Sequence, residues 1–208
     1  LDELEPLTSY NYRIAVNGTQ AAQGRFSTAP PPDRPAAFSY VITSCMDFTR
    51  YPEQPAWNAV VEQKPDFHLL VGDNVYANST DRDVLWRYHL EQRSIPNFAG
   101  LLATVPSYAT WDDHDYGPND SHGLTPGKEN SLESFKDLWA NPAYGTRELP
   151  GVFYAYQWGN VQFIVLDDRY YRDNEHAENT PGKTQFGEAQ RQWLFEQLKS
   201  SRSPFKVV

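Results

Sequence analysis

The sequence is short of cysteine, of basic charge and of long apolar runs, and each shortage excludes something. Cys45 is the single cysteine among 208 residues, so no disulfide can form within the chain. That leaves the compartment open, because exported proteins can do without disulfides. No apolar run approaches the roughly 18 residues that a membrane-crossing helix requires, so no membrane span is expected. The opening Leu1-Asp2-Glu3-Leu4 has neither the basic nor the apolar segment of a signal peptide. An exported form would therefore have lost its signal. Lys and Arg total 18 against 27 Asp and Glu, for a formal net charge of -9. A nucleic-acid surface needs a basic stripe, and none is evident here. An acidic excess suits cations, although solubility alone explains many acidic surfaces. Aromatic residues, by contrast, are plentiful at 14% and can fill a core.

The order of patterns suggests the end of one module followed by another. Residues 7–28 alternate apolar and polar around Asn17-Gly18, a strong hairpin signal. Two strands alone are marginal in water. Residues 1–30 therefore read as the last hairpin of a small immunoglobulin- or fibronectin-like β-sandwich. Residues 31–36, with Pro31, Pro32 and Pro35, form a stiff linker. Beyond it, strands are expected at 37–43, 67–71, 105–110, 152–158, 161–166 and from 205. Helices are expected at 55–63, 80–93, 130–139 and 187–199. The β-α-β-α-β order implies an α/β fold with a largely parallel sheet covered by helices. In such sheets ligands bind beyond the carboxyl ends of the strands.

Chemistry-bearing residues collect at those strand ends. Thr43-Ser44-Cys45, Gly72-Asp73-Asn74-Val75-Tyr76 and Trp111-Asp112-Asp113-His114-Asp115 each follow an apolar run. Three carboxylates and an imidazole in four consecutive positions repel and titrate upward unless a cation neutralises them. Thiolate from Cys45 with phenolate from Tyr76 favours ferric iron, whereas an all-oxygen set favours calcium, magnesium or manganese. Asp73 has two oxygens with which to bridge two cations. His114 suits a ligand or a general acid. Arg169 and Arg172, after a fourth strand ending in Leu166-Asp167-Asp168, can hold an anion by bidentate bonding. Each has a plain rival: a structural Cys45, a turn at Gly72-Asp73, a solvated acidic loop, or an Asp167–Arg169 salt bridge. His68 reads as a hydrogen-bonded core residue, His89 as solvated, and Trp111 as packing beneath the site.

The ordered set of these motifs resembles the PhoD-type alkaline phosphatases, a branch of the calcineurin-like metallophosphoesterase superfamily. So do Phe186-Gly187-Glu188-Ala189-Gln190-Arg191-Gln192-Trp193-Leu194 and the segment ending in Phe26-Ser27-Thr28-Ala29-Pro30. The resemblance implies metallophosphoesterase-like β-sheets flanked by helices over 37–208, half of a four-layer αββα sandwich. It implies a periplasmic or extracellular hydrolase of phosphate monoesters or diesters, with an Fe(III) and Ca(II) centre. By motif, Cys45 and Tyr76 would bind iron, and Asp73 would bridge iron to calcium. Asp113 would be a further ligand with Asp112 beside it, and His114 and Arg169 would serve catalysis. Thr43 stands where the family usually has Gly. A later Gly-Asp-x-His motif is absent, so the chain is expected to pair with its own missing C-terminal portion. Two other functions compete: a non-catalytic calcium-stabilised binding module, and a glycoside hydrolase using Asp113 and Asp115 as its carboxylate pair.

Overall fold

The computed structural model describes residues 3–208; the first two residues of the expected hairpin module lie outside the described residues. The chain opens with β1 (Ser9–Val16) and β2 (Thr19–Ser27), an antiparallel pair with Val16 opposite Thr19. Asn17 and Gly18 have φ of 50° and 80°, the doubly left-handed turn that suits the twist of a two-residue hairpin. Tyr10 stacks on Phe26 at 5.7 Å between ring centroids, while Ile14 and Val16 remain exposed.

Three parallel strands follow in the order β3 (Tyr40–Thr43), β4 (Phe67–Val71) and β5 (Ser107–Thr110). Their crossovers carry α1 (Ala56–Glu62), α2 (Arg82–Ser94) and α3 (Pro96–Leu102). The last of these helices is not signalled by periodicity; Pro96 at its first turn starts it, since proline lacks only an N–H that has no helical partner there. Next come α4 (Asp113–Tyr116), a single turn, and α5 (Lys128–Leu138).

A second sheet of three strands contains β6 (Tyr154–Trp158), β7 (Val161–Val165) and β8 (Phe205–Val207), with α6 (Glu188–Ser200) before the last strand. The strand ending at Leu166 therefore does not extend the parallel sheet. It pairs antiparallel with β6 and parallel with β8. Aromatic side chains fill the space between the two sheets. Tyr108 stacks on Tyr156 at 4.1 Å, and Phe67 meets Trp158 at 4.6 Å and Phe163 at 5.3 Å. The opposite flank of the parallel sheet is a second core of Trp57, Leu70, Phe98, Leu101, Trp111 and Phe135.

His89 departs from the sequence expectation. It is buried, its ring edge-on to Phe135 and Trp139, and burial followed by the nearby Arg93 charge pushes its pKa well down. It faces the α2–α5 contact rather than solvent. His68 is a core residue as expected, with Nε2 2.6 Å from the Thr43 hydroxyl.

Candidate metal centre

Parallel strands end on the same side, so residues two positions past each end arrive together. Cys45 follows Thr43, Asp73 follows Val71 and Asp112 follows Thr110 by that offset. Cys45 and Asp73 sit at φ of 62° and 50°, a left-handed backbone that costs non-glycine residues about 1 kcal/mol or more each. Cys45 N–H donates to the Gly72 carbonyl and Met46 N–H to that of Asp73, which ties the two strained loops together. Gly72 is required where it is: at φ 113°, an added Cβ would lie 2.6 Å from Cβ of Asp112.

The Asp73 carboxylate is the hub. Its Oδ2 accepts from the Tyr76 hydroxyl at 3.0 Å and from the Cys45 thiol at 3.6 Å. Its Oδ1 is buried without a hydrogen-bond partner among the described residues. Ligand atoms of Asp73, Asp113 and His114 lie within 4.8 Å of one another. Burial pushes the Asp73 carboxyl up; the Tyr76 hydroxyl and His114 pull it down, and the Asp112 and Asp113 charges raise it. Burial, then the Asp73 charge, also pushes the Tyr76 hydroxyl above its ordinary range. An orphaned buried carboxylate oxygen, two nearby carboxyl and imidazole groups, a thiol and a phenol fit a cation site.

Two residues brace this centre: Asn78, which nothing in the sequence pointed to, and Asp115, which the acidic cluster offered to a cation rather than to the backbone. Asn78, at φ 51°, presents Oδ1 at 2.6 Å from Nδ1 of His114, and its N–H donates to the His114 carbonyl. The His114 ring also lies against that of Tyr76, with centroids 4.3 Å apart. Asparagine in a loop tolerates the left-handed region, which is the only local signal it carries. Asp115 accepts N–H bonds from Asn74 (backbone and side chain), Val75 and Asp112, joining the loop after β4 to that after β5. With Asp112 it also forms a capping box on α4. Burial pushes Asp115 up to about 8 against the pull of the backbone N–H bonds.

That placement removes the glycoside-hydrolase reading. Asp115 is 2% exposed and spent on backbone donors, so Asp113 and Asp115 are not a carboxylate pair facing a substrate. Asp112 and Arg169 meet each other: Arg169 Nε donates to Asp112 Oδ1 at 2.6 Å, and a terminal nitrogen forms an ion pair with the same oxygen. Burial opposes the Arg169 charge, but Asp168 and Asp112 outweigh it and raise its pKa. Arg172 pairs with Glu175 at 2.9 Å and, at 3.9 Å, with Asp168, which also lies 3.8 Å from Arg169. Asp167 takes the Arg169 backbone N–H, not its guanidinium, together with Trp111 Nε1 at 2.8 Å. Trp111 is buried beneath the site, as its sequence position suggested.

A family model described as PhoD-like phosphatase matches residues 39–208. The chain belongs to that family. Alkaline phosphatase D of Bacillus subtilis (strain 168) is 27% identical over 251 residues, covering 100% of this chain and 43% of that protein. The chain thus spans less than half the length of this curated relative. A solved structure of PhoD superposes with a TM-score of 0.82 at 22% identity, covering 98% of this chain and 47% of the other. A purple acid phosphatase isolated from yellow lupin (Lupinus luteus) seeds superposes at 0.65 with 15% identity, covering 99% and 36%. At these identities the two superpositions speak for the fold alone.

Proposed function

We propose that the protein hydrolyses phosphate monoesters or diesters with a metal centre at the ends of β3, β4 and β5. The observation that carries this reading is the buried Asp73 carboxylate, flanked by a thiol and a phenol and left with one oxygen unpartnered. Cys45, Tyr76, Asp73 and Asp113 would hold the cations, with iron favoured by the thiol and phenol and calcium by the carboxylates. Such cations, when bound, supply Lewis acidity that neutralises phosphoryl oxygens and activates water.

The chain's own groups do the rest. Asn78 accepts from Nδ1–H of His114 and so leaves Nε2 free; with a second proton there, the imidazolium can donate to a phosphoryl oxygen or give that proton to the leaving oxygen and return to neutral imidazole. Asp112 caps α4 and anchors Arg169, whose charge offsets the acidic loop. Arg169 is thereby a positioning residue, and Asp112 contributes to the centre through it. The remaining ligands and the rest of the pocket would come from a further C-terminal portion. Residues 1–30 as the end of a β-sandwich and 31–36 as a linker belong to the same proposal, as does a periplasmic or extracellular location. Among the described residues no helix is long and apolar enough to cross a membrane.

A thiol and a phenol beside the shared carboxylate favour this over a calcium module that only holds structure, since calcium takes oxygen ligands. The test is hydrolysis of p-nitrophenyl phosphate and bis(p-nitrophenyl) phosphate alongside elemental analysis. Turnover should vanish on chelation and return with the metals. Turnover that persists after verified removal of every metal would overturn the proposal.

A further inference from the structure

A cavity of about 380 Å³ opens beside the metal centre, between the loop after β3 and the start of α1. That volume lies in the range of small-molecule sites. Cys45, Met46, Tyr51, Gln54, Trp57 and Val60 line it. Cys45 belongs to both places, because its sulfur is 3.6 Å from the Asp73 carboxylate. Met46 and Trp57 are buried and form an apolar floor, while Tyr51 stands 58% exposed at the rim. Most polar atoms of the wall are occupied: the Thr43 hydroxyl meets His68, and Asp47 Oδ1 accepts from Thr49 and Arg50, which leaves the exposed Ser44 and Tyr51 hydroxyls toward the opening. Trp57 Nε1 donates to Gln54 Oε1 at 2.6 Å, and Gln54 and Gln92 exchange amide hydrogen bonds at 3.2 and 2.7 Å. A sugar needs free donors and acceptors and a second phosphoryl group needs positive charge, which this apolar floor, with the Asp47 carboxylate on its wall, does not offer. A flat apolar group needs surface and an aromatic neighbour, which it does.

We infer that this cavity seats an aromatic arm of the phosphoester, so that the preferred substrates are aryl-bearing phosphodiesters. The inference rests on the phosphoester-hydrolase reading above. An ester whose phosphorus sits at Asp73 and Asp113 extends one arm across Cys45 and under the Tyr51 ring. The Arg50 guanidinium stands 5.4 Å from that ring, opposite in sign to the Asp47 carboxylate of the wall.

The test uses two esters with one leaving group, phenyl p-nitrophenyl phosphate and methyl p-nitrophenyl phosphate, on the metal-loaded protein. Their intrinsic difference in reactivity cancels when variants are compared. In the wild type the phenyl ester should be favoured at least about tenfold in kcat/KM, the size expected for burying an aromatic ring. Ala56→Trp, which fills the cavity from α1, should bring the preference to within about twofold of unity while the methyl ester reacts as before. Tyr51→Ala, at an exposed position that folding tolerates, should lower it by about threefold. A wild-type preference near unity, or one unchanged in both variants, would overturn the subsite. If neither ester is hydrolysed, the hydrolase reading falls, and binding decides the subsite alone. Phenylphosphonate should then bind more tightly than methylphosphonate to the wild type but not to Ala56→Trp. Equal binding of the two would sink it.

Discussion

Asp115 and Asp73 lie in adjoining loops, and both are almost wholly buried, at 2% and 8% exposure. Their surroundings differ in who supplies the positive partner. Asp115 receives N–H bonds from Asn74, Val75 and Asp112, and Asp167 likewise from Trp111, Val152, Arg169 and Tyr170. The fold itself completes those two carboxylates. Among the described residues Asp73 has only a hydroxyl and a thiol on one oxygen, and no donor on the other. A buried carboxylate that the protein leaves incomplete is one that something from outside must complete. Two residues of the same type and similar burial thus separate into structure and chemistry by their donors alone.

The sharpest way to break this comparison is to neutralise each carboxylate in turn. Asp73→Asn keeps the volume but removes the charge that cations need. Hydrolysis should fall by at least about a thousandfold and the metal content with it, as for loss of a principal electrostatic element of a site. Melting of the metal-free protein should hold or rise, because the Asp73 charge is repelled there by Asp112 and Asp113. Full metal content in this variant would place Asp73 with the structural carboxylates.

Asp115→Ala should do the reverse. It leaves buried N–H groups without acceptors, at a cost of about 3–5 kcal/mol whether or not metal is present. Urea unfolding with and without chelator measures this, and a penalty that disappears on chelation would show that Asp115 acts through the cation. Chelation of the wild type is a smaller perturbation of the same comparison. It should lower stability by about 2–3 kcal/mol, since the buried Asp73 carboxylate then stands beside the Asp112 and Asp113 charges without a cation. In Asp73→Asn the chelator should change little; equal sensitivity of the two proteins would disconnect the cation from Asp73.

The difference between the two carboxylates was only half legible in the sequence. Strand ends were readable because apolar runs stop abruptly at Thr43, Val71 and Thr110, and the parallel order then brings Cys45, Asp73 and the Asp112–Asp115 group to one edge. What Asp115 bonds to was not readable. Its donors at Asn74 and Val75 lie about 40 positions away, and nothing local marks them. The strand order within the second sheet escaped for a related reason. Alternation identifies a strand and its inward face, but not which partner strand hydrogen-bonds to it, so the parallel pairing of 161–166 with the strand from 205 was not marked. His89 was misread because a histidine amid Tyr88, Leu90 and Glu91 looks amphipathic, and only the docking of α5 buries it.

His68 extends the comparison to a buried group that is completed on one side and needs no charge. Its Nε2 meets the Thr43 hydroxyl, while Nδ1 is buried without a partner among the described residues. Burial pushes its pKa down from 6.5 to about 4. The unfolded chain therefore takes up a proton below about 6.5 that the folded protein refuses until about 4. Stability contributed by the neutral ring is complete above pH 6.5 and is lost as pH falls toward 4, by up to about 3 kcal/mol. His68→Gln retains a hydrogen-bonding group for Thr43 and cannot titrate. Urea midpoints of the two proteins at pH 7 and pH 4.5 should differ in slope, with the wild type losing about 2 kcal/mol more on acidification. Parallel losses would mean that the acid sensitivity lies elsewhere, in His89 or in the carboxylates of the centre.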